Sequence, residues 1–295
     1  MKPLLQQIGY KIAWWGIRIF PRPCCVWFSK RVADLCFVFD TAARRAVIAN
    51  LTHLLSLSGQ ETQTRRGRRG IDRLARETFE NFAVHIMDFL RVYRVKDDIE
   101  SGLLRIEHFG RFRDEFARGR GLISVTAHLG NWEMGAAATA AMGLPLSAVA
   151  MKLPDKRLDR FFTRLRESGG IRPFPSGRAA RGCFNVLARK EMLAFVADRD
   201  IDGNGVPVRF FGRDVRVPRG PAEMAARTGA PIVPAFCLQE AGGHFRLVVE
   251  EPIEVDESLP AREKAEAITR EMIKVFEEYI SRYPTQWFAF YKVWP

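Results

Sequence analysis

The stretch ISVTAHLGNWEMG, residues 123–135, joins an apolar run to a histidine and then to a carboxylate: His128 and Glu133, with Gly130 between them. On one continuous helix, positions five apart lie about 140° around the axis and their side chains could not meet. If His128 instead ends a strand and Gly130 relaxes the turn, Glu133 in the first turn of the next helix can fold back to the imidazole. A carboxylate on one ring nitrogen would leave the other free to take a proton from a hydroxyl. It would also stabilise the imidazolium that forms. Unpaired N–H groups at the helix start could receive a developing oxyanion.

The chain supplies no nucleophile for this base, since it has neither a Gly-x-Ser-x-Gly elbow nor a cysteine near the motif. It has no His-Glu-x-x-His or comparable ligand set, so no metal is expected. A base–carboxylate pair without nucleophile or metal suits direct attack by a substrate hydroxyl on an activated acyl group.

Strand-like and helix-like segments alternate around this pair. Residues 4–20 and 24–57 read as two helices divided by Pro21 and Pro23, residues 60–70 as a basic loop or helix entry, and residues 71–94 as an amphipathic helix. His85 in that helix reads as a packing residue. From residue 104 onward, LLRIEHF, GLISVTA, LSAVAM, IRPFP, MLAFVAD, PIVPAFCLQ and HFRLVVEEPIEV read as strands. Helical segments separate most of them, and residues 261–284 form a last amphipathic helix. The expected fold is α/β, with a mostly parallel central sheet flanked by helices. Residues 1–100 form an N-terminal helical region and residues 101–295 the catalytic domain.

Composition narrows the partner. The net charge is +12 over 295 residues, and residues 1–76 carry 14 lysines and arginines against four acidic residues. That excess favours an anionic partner. A nucleic acid would satisfy the charge, but no reader motif supports it and none is expected. Tryptophans and phenylalanines interleaved with cations between residues 11 and 39 suit an interfacial helix pair better. No run of about 18 uncharged apolar residues interrupts the chain to span a bilayer, and no secretory cleavage pattern is evident. The five cysteines, Cys24, Cys25, Cys36, Cys183 and Cys237, lack Cys-x-x-Cys spacing and read as reduced core thiols of a cytoplasmic compartment.

AHLGNWE resembles the His-x4-Asp/Glu motif of bacterial glycerolipid acyltransferases, and more closely that of the lipid A late acyltransferases and the related phosphatidylinositol mannoside acyltransferases. RRAVIANL, IEHFGRFRDEFARGRGLISVTAHLGNWEMG, LRESGG, SGRAARG, ADRDIDGNGVPVRFFGRDVRVPRGPAEMAARTGAPIVPAF and YPTQWFAFYKVW follow in the order of that family. The resemblance implies a base, His128, activated by Glu133, acting on a lipid or glycolipid hydroxyl. The donor would be an acyl thioester of acyl carrier protein or coenzyme A, with no cofactor, at the cytoplasmic face of the inner membrane. A lipid A precursor is the expected acceptor. Asp198-Arg199-Asp200 looks more like the mannoside enzymes and keeps that acceptor open.

Further residues are candidates for substrate binding. Asn131 lies in the motif turn, and the resemblance places Arg166 and Arg178 near the acceptor. Asp198 and Asp200 end a strand. Arg216 and Arg219, with Arg213, precede a helix N-terminus that suits an anionic group. Water in place of the lipid alcohol would make the same site a thioesterase or lipase.

Overall fold

The computed structural model describes residues 2–59, 61–175, 179–201 and 203–294. Every described element before residue 101 is helical. Helices α1 (Lys2–Ile19) and α2 (Arg22–Phe39) are divided at Pro21, as expected from its missing N–H. The single helix expected over residues 24–57 is instead two, because Asp40 leaves the helical conformation. Its carboxylate accepts the Ala43 N–H and starts α3 (Thr41–Leu57). The basic segment 60–70 proves to be a helix entry. Thr64 caps Gly67 N, and α4 runs Arg65–Leu90. Ile71, Ala75 and Phe79, one helical stripe of α4, pack against Ala33 of α2 and Val47 and Leu51 of α3.

A 3-10 turn and the short α5 (Val95–Glu100) lead to the sheet. Its strands are β1 (Leu104–Glu107), β2 (Leu122–Thr126), β3 (Leu146–Ala150), β4 (Arg172–Pro175), β5 (Met192–Val196), β8 (Ile232–Gln239) and β9 (Phe245–Val249). Their order is β1-β9-β8-β2-β5-β3-β4, and every neighbouring pair is parallel except β8 with β9. The mixed α/β architecture with a mostly parallel sheet therefore matches the sequence pattern.

Both faces are buried, which is why these strands read as apolar runs. Leu122, Met192 and Cys237 join one core with α6 (Gly110–Ala117), α7 (Trp132–Ala141) and α8 (Lys156–Ser168). Ile123, Leu193 and Phe236 join the other with α9 (Ala179–Ala188), α10 (Gly220–Thr228) and α11 (Ala261–Arg282). The segment holding Arg213, Arg216 and Arg219 is not simply a lead-in to a helix. Most of it folds as an antiparallel hairpin, β6 (Val206–Phe210) with β7 (Arg213–Val217). Phe211 and Gly212 make its turn with φ of 51° and 75°, the paired positive angles of a two-residue hairpin.

After α11 the chain returns across the molecule. Leu129 and Trp287 form an antiparallel bridge, and Phe288 N donates to His128 O at 2.8 Å. Asn50 on α3 donates to the carbonyls of Ala289 and Tyr291 at 3.0 and 2.8 Å and accepts the Val293 N–H at 3.2 Å. On the N-terminal side, Arg22 pairs with Asp88 at 2.9 Å, tying the start of α2 to the end of α4, and Arg91 pairs with Asp98 of α5 at 2.7 Å.

Candidate active site

Parallel β2 and β5 run in register, with Thr126 opposite Val196. Ala197 N continues the ladder to Thr126 O at 2.8 Å. Two residues beyond each strand stand His128 and Asp198, facing one another at the carboxyl edge where open α/β sheets gather their chemistry. His128 Nδ1 lies 2.7 Å from Asp198 Oδ1, and the Trp287 indole N–H donates to Asp198 Oδ2 at 2.9 Å. The aspartate is buried and the histidine side chain is one-quarter exposed. Burial alone would raise the Asp198 carboxyl. The His128 charge and hydrogen bond, with the indole donor, outweigh it and hold the group below its ordinary range. With Nδ1 engaged, Nε2 is the nitrogen left for a substrate.

Glu133 is therefore not the carboxylate on the ring, contrary to the expectation from the motif's spacing. It lies in the first turn of α7 and meets Arg166 of α8. Arg166 Nε lies 3.0 Å from both carboxylate oxygens and Nη2 2.5 Å from Oε1. The physical reason lies in the turn. Asn131 caps α7 by accepting the Met134 N–H at 3.1 Å, while its own N–H donates to Cys237 O at 2.6 Å. Helix α7 then starts pinned to β8, and Glu133 projects toward α8. Gly130 permits this close approach. Its φ is 64°, and a Cβ there would stand 2.1 Å from Cys237 O. Among the described residues these bonds leave Trp132 and Glu133 as the helix-start N–H groups without a backbone acceptor.

His128, Glu133 and Arg166 line one cavity of about 520 Å³. Its inner part lies between α7 and the sheet, where Ser124, Ala148 and Ala194 face Gly135 and Ala136. The row beneath them is large: Leu122, Met192 and Leu146 stand in register. The outer part is aromatic, with Tyr10, Phe82, Phe89, Trp132, Phe162 and Phe288.

The remaining sequence candidates separate. Asn131 is buried and acts as the helix cap. Asp200 accepts the Gly205 N–H at 2.8 Å, Arg216 bonds Gly205 O, and Arg219 donates to Asn204 O at 2.7 Å. These three organise the loop after β5. Arg216 and Arg219 line a neighbouring groove rather than the cavity of His128. Arg178 lies outside the described residues. Two further residues line the cavity: Arg199, which had no assigned role in the sequence reading, and His85, expected to be a packing residue and found packed. Arg199 lies 4.4 Å from the Tyr291 ring, and His85 packs 4.1 Å from Trp132. Trp287 also had no assigned role, since nothing local links it to a carboxylate 89 residues away.

Among the described residues no group of three or more His, Cys, Asp or Glu could hold a metal ion. Of the five free cysteines, Cys183 and Cys237 are buried, with burial raising both thiols. Cys24, Cys25 and Cys36 lie outside the core on α2, so the core-thiol expectation holds for two of five.

Similarity to known proteins agrees with this arrangement. A phosphatidylinositol mannoside acyltransferase of Mycolicibacterium smegmatis is 32% identical over 224 residues, covering 75% of this chain and 69% of the relative. One from Mycobacterium tuberculosis is 26% identical over 298 residues, covering 97% and 87%. Residues 6–295 match the family described as bacterial lipid A biosynthesis acyltransferase, and the chain is an acyltransferase belonging to that family.

Proposed function

We propose that this acyltransferase moves a fatty acyl chain from a thioester of acyl carrier protein or coenzyme A to a hydroxyl of a membrane glycolipid, with His128 as general base. The observation that carries the mechanism is the His128–Asp198–Trp287 chain at the cavity mouth. Asp198 fixes the ring with its proton on Nδ1, so Nε2 accepts the proton of the acceptor hydroxyl as its oxygen attacks the thioester carbonyl. The resulting oxyanion is stabilised at the start of α7, where the Trp132 and Glu133 N–H groups are unspent. Collapse breaks the carbon–sulfur bond, and the thiolate takes the proton back from the imidazolium. An ester and a free thiol result, with no cofactor. Glu133 and Arg166 neutralise one another and shape the wall beside the base. The inner slot of small side chains takes the acyl chain, and the large row beneath sets its depth.

The acceptor is a glycolipid alcohol. The named activity of the relatives supports a phosphatidylinositol mannoside at least as strongly as the lipid A precursor expected from sequence. The enzyme works at the cytoplasmic face of the bacterial inner membrane, held peripherally or monotopically. No described helix is long and apolar enough to cross a membrane. Instead Trp15, Ile19 and Phe20, with Trp27, Phe28 and Phe39 of α2, each expose more than half their surface, with Arg18, Lys30 and Arg31 among them. That composition suits the interface of an anionic bilayer.

Mass spectrometry of acylated products, with phosphatidylinositol mannoside and a lipid A precursor offered separately, tests the reaction and its acceptor. His128→Ala is expected to lower turnover at least ~10²-fold, the usual worth of general-base catalysis, with the fold retained. Full turnover in that variant, or fatty acid release independent of any lipid acceptor, would remove the assignment.

A further inference from the structure

One buried polar group in the cavity is unused by the mechanism above. His85 lies on α4, is 3% exposed, and lines the same cavity as His128. Its ring is set among aromatic neighbours: Trp132 at 4.1 Å between centroids, Phe288 at 5.7 Å, and Phe82 nearly parallel at 5.9 Å. A phenylalanine would satisfy all three contacts. Yet among the described residues Nδ1 has no hydrogen-bond partner of good geometry: Asn131, the polar side chain that acts on this ring, leaves its own Nδ2 unpaired as well. A buried polar atom without a partner is destabilising, and in a native protein it calls for an explanation.

The ring has no part as a base or a cation. Burial first, and the charges of His128 and Arg166 with it, push its basicity down to about 3, against a smaller opposing pull from Asn131. It is a neutral hydrogen-bonding group in an otherwise greasy enclosure. The inner slot, lined by Ser124, Ala148 and Ala194, is suited to a hydrocarbon chain. His85 stands instead at the aromatic end, packed on the same Trp132 indole that lies 5.1 Å from the His128 ring.

We propose that His85 is a binding residue for the acceptor, its Nδ1 holding an oxygen of the glycolipid alcohol while Phe82, Trp132 and Phe288 enclose the rest of that group. The inference rests on the acyl-transfer reading of this cavity and goes beyond it by separating acceptor from donor. No proton passes through His85; it fixes where the alcohol lies relative to the base.

The test is steady-state kinetics of the full chain with palmitoyl-coenzyme A and phosphatidylinositol mannoside in mixed micelles, together with thermal unfolding. In His85→Phe the acceptor KM is expected to rise tenfold or more, the donor KM to stay within twofold, and the unfolding midpoint to equal or exceed that of the wild type. His85→Gln, which restores a hydrogen-bonding atom, is expected to recover part of the acceptor KM. An unchanged acceptor KM, an equal rise in both KM values, or a lowered midpoint or failure to fold in His85→Phe would overturn the proposal. Absence of ester formation by the wild-type protein, with this acceptor and with a lipid A precursor, would be a different failure. It would sink the acyl-transfer reading itself, whichever way the midpoints fell.

Discussion

His128 and His85 both pack on one indole, 5.1 and 4.1 Å from it, and differ in what their ring nitrogens meet. His128 has a carboxylate on Nδ1, whereas Nδ1 of His85 meets no well-aligned partner among the described residues. Asp198→Asn should therefore cost turnover far more than substrate binding. A kcat drop of ~10²-fold or more with KM nearly unchanged is expected, because the amide cannot stabilise the imidazolium. Glu133→Gln should act by loosening Arg166, so rescue by a second change that removes the unpaired guanidinium separates the two carboxylates; kinetics of the single and double variants check this. His85 also leaves a signature in stability. Its folded pKa, about 3, lies below its ordinary 6.5. The unfolded chain binds the proton first, so the full stability is present above pH 6.5 and is lost as pH falls toward 3. Urea unfolding of the wild type and His85→Phe at descending pH should show a gap growing by about 1.4 kcal/mol per pH unit in that window. The imidazole at the motif was legible from AHLGNWE, but its partner was not. Five residues of spacing favoured Glu133, whereas strand register brings in Asp198 from 70 residues away.

Elements set that register and then lock it. The segment around Trp287 straps the loop after β2 through the Leu129 bridge, the Phe288 N–H to His128 O, and the indole to Asp198. Trp287→Phe keeps an aromatic ring but removes the donor. The net worth of a hydrogen bond to a charged group, about 1.5–3 kcal/mol, translates into a kcat loss of roughly tenfold or more, measurable by the same assay. Gly130→Ala should be worse for folding than for binding, since its backbone is left-handed and its Cβ would meet Cys237 O. A loss of about 1–3 kcal/mol in chemical denaturation is expected. The parallel strands were legible because both faces are buried and the segments are continuously apolar. The β6–β7 hairpin was hidden because its turn is Phe211-Gly212, without the Asn-Gly or Asp-Gly pair that marks such turns. The break between α2 and α3 hinged on one capping aspartate, which a helical periodicity of apolar residues does not reveal.

Across the whole molecule, positive charge and exposed aromatic surface share the N-terminal helices, while the cavity reaches back to Tyr10 on α1. The helix that offers Trp15 and Ile19 outward thus also supplies a wall of the site. Replacing Trp15 and Trp27 with Glu is expected to reduce sedimentation with anionic liposomes several-fold. Wild-type binding should weaken as salt rises, because the exposed cations are screened. Retention of full liposome binding by the double variant would contradict the interfacial reading. Uneven charge was visible in the chain, since it needs only counting. The return of residues 287–294 to α3 was not, because Asn50 holds carbonyls about 240 positions away and leaves no local pattern.

That return has a bearing on biosynthesis. The donor to the Asp198 carboxylate and the strap on the His128 loop both come from residues 286–288, so a nascent polypeptide carries His128 long before it carries the parts that orient it. Chains that stop short of these residues are expected to hold His128 in a slack loop and, under the proposed mechanism, to be inactive; an activity assay of a chain truncated before residue 286 checks this.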